Sequence, residues 1–374
     1  MKVAYVHPLP LEFYPPARNT LRIFSAREGW NVRAWSSRNT RGLPELSPAE
    51  VQVVRHGHGK REQPTALRAA GYASWHLRTA ADLARWSPDV VVAVEPHANL
   101  AVWTYYSVLR GNAELFIHHH EYYSEQDYLR DGMRLLRATR SIERDVLLER
   151  AAWVSQTNAT RLALFEKSHP KLRPGVGRVL PNYPPREWAT RLREERRGDP
   201  NVTRLVYVGA ASFEDTFIRE AALWVRASPD SLSLHVTGDN VSADVWAWLD
   251  SLSAANITTR RRGVDYDHLP DLLSEYDAGL VLYKGNTLNF VHNVPNKAIE
   301  YLACGLQTWY PVEMDGLRTF HEQHDALRMR QLDFRNLPAH PLPATRHAVD
   351  SFPFNCESAL EPLIAEIERM AGQR

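Results

Sequence analysis

The chain has little cysteine. Cys304 and Cys356 are the only two in 374 residues, far apart and with no second Cys or His at metal-ligand spacing. That excludes a disulfide scaffold and a cysteine zinc site, and both thiols read as reduced, buried small hydrophobes. Net charge is nearly absent as well, with 45 Lys plus Arg against 44 Asp plus Glu, so no overall field holds nucleic acid through its phosphates and any basic surface must be local. No apolar run approaches the roughly 20 residues of a membrane-spanning helix, and the stretch from Met1 to Val6 lacks the basic and long apolar regions of a signal peptide. The expectation is a cytoplasmic protein that lies on a membrane where it meets one. Lysine is scarce, with Lys2, Lys60, Lys167, Lys171, Lys284 and Lys297 the only six. Genomic base composition explains that skew more cheaply than a set of phosphate-binding arginine forks. The loop after the first strand-like run, HPLPLEFYPPARNT, contains no GxGxxG, which argues against a hydride-transferring dinucleotide enzyme.

What remains is an ordinary globular composition, 44% hydrophobic and 24% charged, at a length suited to two domains. Short β-branched runs alternate with helical stretches: Val3 to Val6, a helix over Ala17 to Gly29, Val32 to Trp35, a helix over Leu67 to Trp86, then Val90 to Val94. This is the pattern of parallel βαβ units, and the unalternating VVVAV predicts a central strand buried on both faces. Strands follow at Leu115 to His118, Trp153 to Gln156 and Arg178 to Leu180. The charged, proline-bracketed stretch 184–200 reads as a linker between an N-terminal domain, 1–183, and a second α/β domain, 201–345. In that second domain strands are expected at Arg204 to Val208, Leu232 to Thr237, Ile257 to Thr259 and Ala278 to Leu282. Residues 346–374 hold a helix with Leu360, Leu363, Ile364, Ile367 and Met370 on one face. The fold class is α/β, two doubly wound halves in tandem.

Ligands of open parallel sheets bind beyond the carboxyl ends of strands. There the chain carries His118-His119-His120-Glu121, then Tyr283-Lys284-Gly285, then His292-Asn293 and the run NVPNKAIEYLACG. Side chains alternate along a strand, so at most two of the three histidines converge. A metal pair, packed core histidines and a site histidine held by a neighbouring carboxylate are the three readings. In the second run Asn293 can cap a helix with Pro295 in its first turn. Lys297, Glu300 and Tyr301 then share one side, Ile299, Leu302 and Ala303 the core side, and Gly305 ends the helix. Such a helix can hold a diphosphate at its start and a ribose diol at its Glu; the plainer alternative is a solvated Lys/Glu pair.

The run PNKAIEYLACGLQ resembles the PxKxxEYxAxGxP signature of retaining GT-B glycosyltransferases of glycosyltransferase family 4. WSPDVVVAV, His120-Glu121-Tyr122-Tyr123, IERDVLLERAAWVSQTN, VLPNYP, LVYVG and Asp277-Ala278-Gly279-Leu280 match in the same order, so the resemblance spans most of the chain. It implies two Rossmann-like domains facing a cleft, a C-terminal helix crossing back to the first domain, and sugar transfer from a nucleotide-sugar donor to a hydroxyl of a glycan or lipid-linked glycan. It places Glu300 on the nucleotide ribose and Asn296 and Lys297 beside the diphosphate, with Gly209, Lys284, His292 and Asn293 also on the donor side. His120 falls near the transferred sugar, with Glu121 the weaker catalytic candidate, and Arg18 and Tyr14 face the acceptor. No metal or other cofactor and no nucleic acid is expected.

Two departures bear on the donor. Many relatives have a sugar-contacting Glu where this chain has His292, and a basic pair in the loop after the strand matching Leu205 to Val208, where this chain reads GAASFEDTF. Arg219 and Lys284 are the substitutes at hand. A nucleotide-sugar epimerase or hydrolase, and a non-catalytic binding protein of the same fold, are the competing readings. Finally, Arg130, Arg134, Arg137, Arg140 and Arg144 recur at helical steps between Leu129 and Arg150, beside Met133, Leu136 and Leu147. They form either a face for anionic lipid or a solvated helix paired with Asp131, Glu143 and Asp145.

Overall fold

A computed structural model describes residues 1–38, 51–57, 65–130, 133–190, 199, 201–340, 343–344 and 352–372. The chain divides into two units, Met1–Asn182 with Cys356–Arg374, and Tyr183–Asn355. Of the expected linker, residues 191–198 and 200 lie outside the described residues. The part before them forms the helix Glu187–Thr190, whose Trp188 is buried with Leu269, Ala298 and Leu302 in the second unit.

The first unit holds seven strands, β1 (Lys2–Val6), β2 (Asn31–Ser37), β3 (Gln52–His56), β4 (Val90–Val94), β5 (Glu114–His119), β6 (Trp153–Gln156) and β7 (Gly177–Val179). They pair in parallel in the order β3-β2-β1-β4-β5-β6-β7. All five residues of β4 are buried, because helices cover both faces of the sheet and polar alternation would bury a polar row. The helix Pro15–Ser25 starts on two prolines and turns Ala17, Leu21 and Phe24 inward. Beside it lies the helix Cys356–Ala371, burying Leu360, Leu363, Ile364 and Ile367 with Val3, Tyr5, Leu21 and Phe24. At about 1.5–3 kcal/mol for each such side chain, this burial outweighs the exposed Arg27–Glu361 pair at 2.8 Å.

The second unit holds β8 (Thr203–Val208), β9 (Leu232–Thr237), β10 (Ile257–Arg260), β11 (Ala278–Leu280), β12 (Gln307–Pro311) and β13 (Met329–Leu332), parallel in the order β10-β9-β8-β11-β12-β13. Strands β3, β12 and β13 carry no counterpart in the sequence-based expectation. In both sheets the chain winds outward in one direction, then returns to the central strand and winds the other way. The reversal falls between β1 and β4 in the first unit and between β8 and β11 in the second. The carboxyl ends of these four strands are where a doubly wound sheet opens a ligand crevice.

The arginine-rich run is not one regular helix. A helix spans Arg134–Ile142, a wider turn Glu143–Leu147, and a last turn Leu148–Arg150. Asp131 lies outside the described residues. Contrary to the solvated-pairs expectation, Glu143 is buried and bonded to His119, while Asp145 meets Arg144 and Lys171. Arg140 pairs with Glu125 and lies over the Tyr128 ring.

Candidate functional site

In the second unit the site begins at Gly209, the residue after β8. It has φ +119°, a conformation favouring glycine, and Gly238 abuts it so closely that a Cβ there would lie 2.3 Å from the Gly209 oxygen. Lys297 reaches across from the helix Asn296–Ala303, and its ammonium lies 3.0 Å from where a Gly209 Cβ would be. That ammonium sits over the rings of Tyr207 at 4.4 Å and Tyr283 at 5.1 Å. The Lys297 stem is partly exposed, but Nζ is enclosed and has no hydrogen-bond partner among the described residues. Burial lowers its pKa to about 8, against the pull of Glu300. Glu300, one turn on and itself buried, is pushed up to about 7 by loss of solvent, with Lys297 and a hydrogen bond from Tyr266 opposing. Burial thus works against the charged form of both groups, the kind of perturbation that marks functional sites.

The helix itself differs from expectation in two ways. Asn293 is not its cap: Pro295, extended at ψ 145°, takes the N-cap position without a side-chain bond, and the helix starts at Asn296. Nor does Tyr301 share an open side with Lys297, because the helix is buried almost all round. The Tyr301 ring lies against Gly279, where a Cβ would come within 2.1 Å, and its hydroxyl accepts the Val208 N–H at 3.1 Å. A tyrosine thus fixes the helix to the ends of β8 and β11. Gly305 follows the helix at φ +74°, as expected of a left-handed terminator.

The loop 209–217 is ordered by its own acid. Asp215 takes bonds from Ser212 Oγ at 3.2 Å and Asn286 Nδ2 at 2.9 Å, and its carbonyl accepts the Lys284 N–H at 2.9 Å. Lys284 Nζ donates to the Phe213 carbonyl at 2.7 Å, so this cation clamps the loop. Arg219 lies over Phe213 at 4.2 Å and Trp248 at 5.2 Å. His292 follows the short helix Leu288–Val291, and its carbonyl and that of Asn293 press against Gly316.

In the first unit His120 follows β5. Its Nδ1 lies 3.1 Å from His118 Nε2 and 3.2 Å from Asn182 Oδ1, while His119 turns to the opposite side and meets Glu143 at 2.6 Å. Glu143 holds His119 above its usual pKa; burial drives His118 down to about 3 and His120 well below the usual range. The carboxylate beside His120 is not Glu121, whose side chain meets Arg161 at 3.5 Å, but Glu95. Glu95 follows β4, with φ +64° and a buried side chain, and its Oε1 accepts the N–H groups of His120 at 2.6 Å and Glu121 at 3.0 Å. Sequence reasoning missed it; the available signal was an acid directly after an all-apolar strand. His7, after β1, was missed too: its ring lies 4.5 Å from that of Tyr14 and 6.3 Å from that of His120. Arg18 sits one turn into the same helix as Tyr14's carbonyl, to which its N–H donates at 3.1 Å. Among the described residues no three His, Cys, Asp or Glu side chains group as metal ligands.

No protein-family model and no curated protein matches this sequence. Solved structures match over its whole length. Sucrose-phosphate synthase from Thermosynechococcus elongatus aligns with 15% identity and a TM-score of 0.63, over 100% of this chain and 92% of that one. The lipopolysaccharide outer core galactosyltransferase WaaB aligns with 11% identity and a TM-score of 0.57, over 100% and 91%. Anabaena Alr3699/HepE, in complex with UDP, aligns with 12% identity and a TM-score of 0.60, over 100% and 95%.

Proposed function

We propose that this chain, whose GT-B fold has two Rossmann-like units each built on a parallel sheet of doubly wound order, is a glycosyltransferase. It moves a sugar from a nucleoside diphosphate sugar to a hydroxyl of a glycan or lipid-linked glycan, with retention, in the synthesis of bacterial surface polysaccharide or glycoconjugate. The observation that carries this reading is the enclosed, unpartnered Lys297 ammonium over Gly209, one helical turn from a buried Glu300. A diphosphate supplies the anion that Lys297 lacks, and the N–H groups at the start of the helix Asn296–Ala303 add their dipoles. Glu300 accepts the two hydroxyls of the nucleotide ribose. HepE, of the same fold, binds UDP, which supports this placement.

In this reading Lys297 does the work that a basic pair in the loop 209–217 does elsewhere, and Lys284 orders that loop. As the glycosidic bond to the leaving diphosphate breaks, negative charge grows on the phosphate oxygen nearest the sugar and is met by Lys297 and the helix start. The donor phosphate takes the proton of the incoming hydroxyl, so transfer requires no protein nucleophile. His120 contacts a sugar hydroxyl near the reacting carbon. Exposed Leu129 and Leu135 beside Arg134 and Arg137 provide the face toward an anionic membrane. The deciding experiment incubates the protein with a panel of nucleotide sugars, with and without glycan acceptors, and follows nucleotide release. Release that depends on acceptor is expected; release without acceptor indicates a hydrolase, and no nucleotide binding at all overturns the reading.

A further inference from the structure

We propose that Tyr266 is a positioning residue for the nucleotide ribose: braced by Trp188 of the helix Glu187–Thr190, its hydroxyl holds the Glu300 carboxylate where a ribose diol meets it. The start of the stretch that reads as a linker thereby sets how strongly the protein prefers a ribonucleotide to a deoxyribonucleotide. This role rests on the reading that Glu300 accepts the ribose hydroxyls.

Glu300 is fixed at its root, but its head needs a partner. The helix Asn296–Ala303 is pinned through Tyr301, whose ring covers Gly279 and whose hydroxyl accepts the Val208 N–H, so the Glu300 backbone is set in place. Its carboxyl lies beyond three further rotatable bonds, and a long side chain gives up much rotamer freedom when a ligand orders it. A neighbour that orders it beforehand removes that cost from binding.

Tyr266 has the setting of such a neighbour. It opens a one-turn 3-10 helix, Tyr266–His268, capped by Asp265, whose carboxylate accepts the Asp267 N–H at 3.1 Å and whose carbonyl accepts the His268 N–H at 3.0 Å. The turn runs straight into the helix Leu269–Leu273, which buries Leu269 and Leu273 with Ala298, Ile299 and Leu302 of the Glu300 helix. The backbone of Tyr266 is therefore carried by the same packing that carries Glu300. On the ring side Trp188 lies 4.7 Å away at a tilt of 43°. Trp188 is itself buried, and its N–H donates to the Pro185 carbonyl at 3.1 Å, so the brace is rigid. From this position the Tyr266 hydroxyl donates to Glu300.

The chemistry of the diol gives that bond its use. Two ribose hydroxyls can both donate to Glu300 only while it is ionised, because a neutral carboxyl has a proton of its own to place. Loss of solvent opposes the ionised form; Lys297 and the Tyr266 hydroxyl favour it, Tyr301 is the other phenol in its field, and the balance falls at about 7. Tyr266 thus acts both on where the carboxylate points and on how much of it is charged.

The test uses the full chain and two probes, UDP and 2′,3′-dideoxy-UDP, titrated by calorimetry from about pH 6 to about pH 9. The probes differ only in the diol, so the ratio of their affinities cancels the titration of Lys297 and of the phosphates. Wild type should favour UDP by roughly tenfold or more, increasingly so as pH rises through about 7 and Glu300 ionises. Tyr266→Phe should cut that preference roughly 2- to 12-fold at pH 7, the net worth of one hydrogen bond, and move its midpoint to higher pH. Trp188→Phe, which leaves a gap behind the phenol, should cut it part-way. Tyr266→Phe added to Glu300→Gln should change the ratio no further. A Tyr266→Phe variant that keeps the preference and its midpoint makes the ring a packing residue and overturns the role. A variant that loses as much without Glu300 as with it makes Tyr266 a nucleotide contact and overturns it equally. An unchanged preference in Trp188→Phe removes the brace. Glu300→Gln separates this failure from that of the donor reading: if it alone abolishes the preference, the ribose placement stands and Tyr266 has no part in it, and if it leaves the preference intact, the ribose lies elsewhere and both fall.

Discussion

Replacing Lys297 by Met should make the protein more stable and worse at binding nucleotide, a crossed outcome that a packing role does not produce. Burial lowers the ammonium's pKa from 10.5 to about 8. Below pH 8 the folded chain therefore bears the full cost of an enclosed, unpartnered charge; between pH 8 and 10.5 the unfolded chain binds more protons than the folded one, stability rises with pH, and above that window the cost is gone. At about 1.4 kcal/mol per unit the cost is on the order of 3 kcal/mol. Contacts with the Tyr207 and Tyr283 rings and with Glu300 are lost with the charge, so a gain of about 1–2 kcal/mol is expected at pH 7. In a domain of this size that is a rise in melting temperature of roughly 2–8 °C. Methionine fits the space, having a similar length and no polar head. The same variant loses a charge-assisted bond to the diphosphate, about 1.5–3 kcal/mol or roughly 10- to 150-fold in UDP affinity. The assay pairs thermal melts at pH 7 and pH 10 with UDP titration by calorimetry. A variant that melts lower at pH 7 and binds UDP as tightly as the wild type would refute the reasoning on both counts.

Glu300→Gln should weaken UDP binding by roughly 10- to 150-fold while the variant stays folded, checked by calorimetry and melting; undiminished affinity would move the ribose elsewhere. His120→Ala should lower kcat more than it raises the donor KM, and a melting point that falls in step with activity would instead make it a packing residue. Sedimentation with anionic vesicles should exceed that with neutral vesicles and fade in high salt, each of Arg134 and Arg137 contributing about 1 kcal/mol; binding indifferent to lipid charge removes the membrane face.

Much of the fold was legible because its central strands are extreme. VVVAV and LVYV have no polar alternation, and LSLHVT alternates cleanly between turn residues. The edge strand β3, QVVRH, is short and half exposed, so neither a continuous apolar run nor clean alternation marks it. In the candidate site the positions of Lys297 and Glu300 could be read from helical spacing. The inward turn of Tyr301 could not, since spacing assigns a face only when one side of a helix meets water and this helix is buried nearly all round. His7 and Glu95 were invisible for a different reason. Their character depends on a tautomer set by Leu9 and on a left-handed backbone angle, neither of which leaves a trace in the order of residues.

The helix Cys356–Ala371 belongs to the core of the first unit although the whole of Tyr183–Asn355 intervenes. During synthesis the first sheet therefore emerges from the ribosome with the hydrophobic groove around Val3, Tyr5, Leu21 and Phe24 still open, and stays so while the entire second unit is made. The second unit, a continuous stretch of chain, can fold as it emerges; the first must wait for its last helix. That order leaves apolar surface of the nascent first unit uncovered until the chain is nearly complete.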